Sequence, residues 1–205
     1  WLSQVTNLTC HGRRQIIIAT SEGLAIRFSE DEVREIGRNG EGLIGLRWEK
    51  GDAAVGMALD ESETLLTVTE NGYGKRTDIS EYRLQSRGGK GVINIKTHGR
   101  NGHVVGIVSV KDSDQLLLVS SGGKMIRMFV EHISVIGRNT GGVRLMKLDE
   151  KERIVAVEKL ASENGGVAPG GKKGQPESPP GSPPAQKAPK EKNDEKPRQD
   201  DIILA

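Results

Sequence analysis

Aromatic residues, cysteine and, over most of the length, proline are nearly missing from this 205-residue sequence. Its six aromatic side chains, Trp1, Phe28, Trp48, Tyr73, Tyr82 and Phe129, are too few for an aromatic core or a stacking platform for single-stranded nucleic acid. Any core is therefore aliphatic. A lone Cys10 excludes an internal disulfide and a paired-cysteine zinc site, and the four histidines lack companion ligands at metal spacing, so no metal or other cofactor is expected in this chain. Catalytic frames are missing too. Gly88-Gly89-Lys90-Gly91 has no Ser or Thr after its lysine, as a nucleotide-binding P-loop requires, and neither G-x-S-x-G nor H-E-x-x-H occurs. No run approaches the roughly 18 apolar residues of a membrane span, and WLSQVTNLTC lacks a signal-peptide layout, which predicts a cytoplasmic protein without a membrane partner.

All 8 prolines lie between Pro169 and Pro197, and residues 161–205 hold few apolar side chains, so this segment reads as a disordered Pro/Gly-rich tail. The formal net charge of +2 conceals a strong asymmetry. Residues 16–64 carry 5 basic and 11 acidic side chains, whereas residues 71–111 carry 8 basic and 2 acidic. Basic charge gathered in one stretch points to a polyanionic partner.

The dominant pattern is a repeat of about fifty residues. IIIATSEGLAIRF, LLTVTENGYGKRT and LLLVSSGGKMIRM read alike, with Gly23, Gly72 and Gly123 at equivalent points. IGRNGEG, QSRGGKG and GRNTGG align Arg38, Arg87 and Arg138, followed by Gly42, Gly91 and Gly142. A third apolar run aligns Val55, Val105 and Val155. The runs are short, rich in Ile, Val and Leu, and bounded by Gly, Asn, Ser and Asp, which are strand and turn signals. SEDEVREIG and VEHISVIG have room for a short helical turn. Each unit reads as about four short strands, the content of one β-propeller blade. This predicts blades at 16–64, 65–111 and 112–160, with residues 1–15 ending a preceding blade.

ENGYGKRT (Glu70 to Thr77), EYRLQSRGGKGVINIK (Glu81 to Lys96), SSGGKMIRM (Ser120 to Met128) and ISVIGRNTGGVRLMK (Ile133 to Lys147) make residues 1 to about 160 resemble the C-terminal DNA-wrapping domain of the gyrase A protein family. That family's box is Gln-Arg-Arg-Gly-Gly-Lys-Gly, and this chain has Gln85-Ser86-Arg87-Gly88-Gly89-Lys90-Gly91, a later-blade version. The resemblance implies an all-β propeller whose four-stranded blades exchange strands and bind duplex DNA around their outer rim. It also implies a chain that is one part of an ATP-dependent type II topoisomerase. The implied partners are double-stranded DNA, the gyrase B subunit in an A2B2 holoenzyme, and the rest of gyrase A, all at the bacterial nucleoid. The cleaving tyrosine and the ATPase belong elsewhere in that enzyme. The alternatives are the corresponding domain of topoisomerase IV and a WD40-like interaction propeller, the latter disfavoured by the missing Trp-Asp dipeptide.

A duplex carries one negative charge per about 1.7 Å of axis, so a protein that bends it needs cations spaced along a curved edge. Arg38, Arg87 and Arg138 recur once per unit and fit that need. Beside Arg87, the small Gly88-Gly89 pair offers backbone N–H groups to phosphate. Lys90, Lys75, Arg76 and Lys96 thicken the charge, and Gln85 of the box is counted with them as a DNA contact. Lys124 and Arg127 flank a hairpin, and Arg144 and Lys147 lie along a later strand. With no recognition helix or zinc finger, these residues predict binding to phosphate and not base readout.

Overall fold

Ile, Val and Leu favour a pleated surface, and glycine alone readily accepts the positive φ of a tight hairpin tip, so the repeated runs fold as strand, turn, strand. The computed structural model describes residues 14–36 and 39–160. Within them the strands are β1 (Gln15–Thr20), β2 (Leu24–Ser29), β3 (Ala54–Leu59), β4 (Thr64–Thr69), β5 (Tyr73–Asp78), β6 (Val92–Ile93), β7 (Val104–Val110), β8 (Gln115–Ser120), β9 (Met125–Phe129), β10 (Val143–Arg144) and β11 (Ile154–Leu160). Single 3-10 turns at Glu30–Glu32, Ile79–Glu81 and Val130–His132 follow the second strand of each repeat; the sequence left room for the first and the third, and the second repeat has one as well. The expected end of a preceding blade, apart from Arg14 and Gln15, and the expected tail lie outside the described residues.

The strands form three antiparallel sheets, ordered β3-β1-β2-β6, β10-β5-β4-β7 and β11-β8-β9. Each sheet takes three strands from one repeat, and the first two take their fourth from the repeat that follows. Leu24 and Ala25 pair with Ile93 and Val92, and Tyr73 and Gly74 pair with Arg144 and Val143. This is the all-β blade that the repeat predicts, with the strand exchange that the resemblance implies. Apolar residues are buried between sheets: Ile17, Ala25, Leu65 and Tyr82 belong to one cluster, and Leu66, Val68, Leu116 and Ile133 to another.

Two glycines per junction let the exchanged segment approach. The carbonyl of Gly72 accepts N–H bonds from Leu145 and Met146, at 2.8 and 3.1 Å, as that of Gly23 does from Asn94 and Ile95. A Cβ on Gly72 would stand 2.4 Å from the Met146 carbonyl oxygen, and one on Gly23 would stand 2.3 Å from that of Ile95. Gly91 and Gly142 repeat this closeness from the other side, against the carbonyls of Ala25 and Gly74.

The third sheet has no fourth strand among the described residues, and its side chains register the difference. Ile26 is fully buried, while Ile126, its counterpart on β9, is 37% exposed and Met125 is 68% exposed. Gly123, the counterpart of Gly72, has nothing near its Cβ position.

Candidate nucleic-acid interface

The recurring arginines fasten one repeat to the one before it. Arg87 donates its backbone N–H to the Glu32 carboxylate at 2.8 Å, and its guanidinium donates to the carbonyls of Ile44 and Glu32 at 2.7 and 3.3 Å. Arg138 repeats the arrangement in the following unit, with its N–H to Glu81 at 3.1 Å and its guanidinium to the Ile93 carbonyl at 2.8 Å. Both are half-buried. Their guanidinium groups are therefore partly committed to protein carbonyls, which the repeat spacing alone does not reveal. Arg38 lies outside the described residues.

Two candidates are withdrawn from the interface by burial. Lys75 is fully buried on β5, where Ile26 and Ile126 stand in the neighbouring repeats. Its ammonium donates to Thr77 Oγ1 at 2.8 Å and to the carbonyls of Gly137 and Arg138 at 2.7 and 2.9 Å. Arg76 is 5% exposed; it donates to the Ile133 carbonyl at 2.7 Å and pairs with Asp112. Both tie the second repeat to the third and cannot reach a phosphate outside. Lys75 and Arg76 are consecutive on β5 and leave it on opposite faces, and both are buried, which a run of basic residues in the sequence does not mark.

The glycine pair of the box is also differently used. The Gly88 N–H donates to the Gly45 carbonyl at 2.7 Å, and the Gly89 carbonyl accepts from Arg47 N–H at 2.9 Å, so this turn is stitched to the preceding repeat and the Gly88 amide is not free for an anion. Gln85 is half-buried, its backbone N–H bonded to the Arg27 carbonyl at 3.0 Å. Lys124 is neutralised by Asp149 and Glu152, each at 2.7 Å, and these hydrogen bonds raise its pKa. Arg127 is exposed on β9 and donates to Gln115.

Lys90, Lys96, Arg127, Arg144 and Lys147 are the proposed residues that are exposed and in no ion pair among the described residues. Lys90 and Arg138 border one shallow depression. Arg144 and Lys147 border another, together with Tyr73. Here the structure adds residues that the sequence did not place together. Arg144 donates to the Tyr73 hydroxyl at 2.8 Å, and its guanidinium carbon lies 5.4 Å from the ring centre. Arg100, from the loop before β7, lies 4.8 Å from the same ring. The hydrogen bond from Arg144, with the charge of both guanidinium groups, holds the Tyr73 hydroxyl below its usual pKa. One readable signal existed: Tyr73 and Arg144 occupy the positions of Leu24 and Ile93, so the repeat departs from itself there.

The buried ammonium of Lys75 makes a prediction of its own. Burial lowers its pKa from 10.5 to about 8, with the nearby Arg138 charge in the same direction and Glu81 partly opposing. Between these values the unfolded chain binds a proton that the folded chain releases, so stability should rise with pH across that window. Tyr82, whose pKa burial raises, reverses the trend once an unfolded tyrosine would ionise, above about pH 10. Denaturant midpoints should therefore increase between about pH 7.5 and about pH 9.5, and Lys75→Met should flatten the increase. An unchanged slope in Lys75→Met would assign it to other groups.

The family model described as DNA gyrase C-terminal domain, beta-propeller, matches residues 14–59, 63–111 and 114–161. The DNA gyrase A protein of Haloquadratum walsbyi is 47% identical over 150 residues, covering 72% of this chain and 18% of that protein. Its Escherichia coli K12 counterpart is 42% identical over 151 residues, covering 73% and 17%. The chain thus spans less than a fifth of the curated relatives it matches. Among solved structures, a DNA gyrase A C-terminal domain superposes with a TM-score of 0.69 at 30% identity, over 73% of this chain and 51% of that one. A DNA topoisomerase IV C-terminal domain gives 0.68 at 24% identity, over 73% and 47%, which is a likeness of fold.

Proposed function

This chain belongs to the DNA gyrase C-terminal domain family of β-propellers, and from that premise we propose that it binds and bends duplex DNA without reading sequence. The observation that carries the reading is a group of exposed cations outside any ion pair among the described residues, Lys90, Lys96, Arg100, Arg144 and Lys147, gathered on the segments that cross from the second and third repeats. Phosphate contacts position a protein on DNA without selecting bases, and a curved array of them offsets a bending cost on the order of 1–6 kcal/mol. Acting within a gyrase A protein, with gyrase B supplying ATP hydrolysis, bending of one hand, a chiral wrap, would present a neighbouring segment for strand passage and favour negative supercoils. The cytoplasm, at the nucleoid, is where this partner is found. The sequence relatives favour gyrase over topoisomerase IV, which the fold likeness alone does not separate.

Five phosphate contacts correspond to a log–log salt slope of about −4.5, so duplex affinity should fall roughly 500-fold between 50 and 200 mM salt. Fluorescence anisotropy on a short linear duplex measures it. Affinity indifferent to salt would leave a protein-interaction propeller as the better reading. A relaxed circle that gains no writhe on saturation would remove the one-handed wrap.

A further inference from the structure

We propose that Arg100, Tyr73 and Arg144 form a single phosphate-gripping station where the second and third repeats meet, and that this junction holds the duplex more tightly than the one before it. The inference rests on the DNA-binding reading above and specifies where on the surface the grip lies.

The two junctions within the chain differ at one pair of positions. Tyr73 pairs with Arg144 in the same register in which Leu24 pairs with Ile93, so equivalent places carry an aromatic–cation pair and an apolar pair. The backbone frame is common to both, and folding does not require the change. Arg100 is aimed by a built loop: Asn101 is buried and its amide donates to the carbonyls of Lys96 and Gly141 at 2.6 and 2.8 Å, while Asn71 donates to the Arg100 carbonyl at 3.0 Å. Arg100 itself donates to the Gly142 carbonyl at 3.2 Å, on the segment that leads into β10.

Two guanidinium groups are thus held against one ring with no carboxylate paired to either among the described residues. Two like charges kept close are each relieved by an incoming phosphate, and arginine binds phosphate through its planar fork of donors. Both are exposed, so the anion can arrive from solvent. The ring restrains side chains that otherwise lose rotamer freedom on binding, which makes Tyr73 a positioning residue. Of the three carboxylates on the adjoining wall, Asp149 and Glu152 are already taken by Lys124, and Glu150 is in no ion pair among the described residues.

The test uses the 205-residue chain and a short duplex. Tyr73→Leu with Arg144→Ile copies the pair of the preceding junction into this one, and Arg100→Gln is added. This triple variant should lose about 2 units of salt slope, one for each phosphate released, with its unfolding midpoint close to the parent's. A control that removes two exposed charges elsewhere, Lys50→Gln with Lys111→Gln, should keep the parent slope. Tyr73→Phe, which keeps the ring, should retain most of it. If the parent binds steeply and the triple variant matches it, or if the control falls equally, the station is wrong and the DNA-binding reading stands. If the parent shows no salt-dependent binding, both fail together.

Discussion

Gly72→Ala is expected to cost roughly 3–5 kcal/mol of stability, whereas Gly123→Ala, the equivalent change one repeat later, should cost about 1 kcal/mol. The two positions share a backbone conformation, with φ of 85° and 82°, so the strain of placing an L side chain there is common to both. They differ in what lies opposite. At Gly72 the new methyl meets the Met146 carbonyl oxygen at 2.4 Å, and that carbonyl sits in a segment hydrogen-bonded to Gly72 itself, so neither partner can move without loosening the exchanged strand. At Gly123 the methyl projects into open space. Chemical denaturation of the two variants beside the parent measures the difference. Equal losses would mean that the exchanged segment does not press on the hairpin, and the junction would have to be redrawn. Gly23, in the same relation to the Ile95 carbonyl, should behave as Gly72 does.

Arg76→Ala should destabilise by about 3 kcal/mol, combining a lost charge-assisted hydrogen bond with the space left by a buried side chain. Its equivalent on β9, Arg127, should tolerate alanine within about 0.5 kcal/mol. The guanidinium of Arg76 reaches across to the Ile133 carbonyl, as that of Arg27 reaches the Tyr82 carbonyl at 3.0 Å in the preceding junction. Arg127 has no following repeat within the described residues and is exposed beside Gln115. For a domain of this size, a loss of that magnitude lowers the thermal midpoint by roughly 6–12 °C, which a melting curve resolves easily. If Arg127→Ala melts as low as Arg76→Ala, cross-repeat fastening is not what gives these arginines their weight.

Both comparisons use the same property of a repeat protein. Equivalent residues have equivalent backbones and different neighbours, so the energetic consequence of a neighbour can be isolated within one chain. The same comparison locates Tyr73 and Arg144 as a departure from the apolar pair Leu24 and Ile93, and Lys75 as a departure from Ile26 and Ile126. One departure leaves a cation exposed and the other buries one.

Periodicity in the amino-acid order was enough to establish the unit length, the strand runs, the hairpin glycines and the propeller class, because these depend on spacing and on local backbone preference. The excess of basic residues between positions 71 and 111 was equally plain there. Which of those cations meet solvent was decided by tertiary structure. The segment supplied by the third repeat buries Lys75 and Arg76, anchors its own Arg138 on the Ile93 carbonyl and sets its Arg144, exposed, against Tyr73, a pairing of residues about seventy positions apart. Local pattern carries no information at that range, because burial of a strand face is a property of its neighbours and not of its own order of residues.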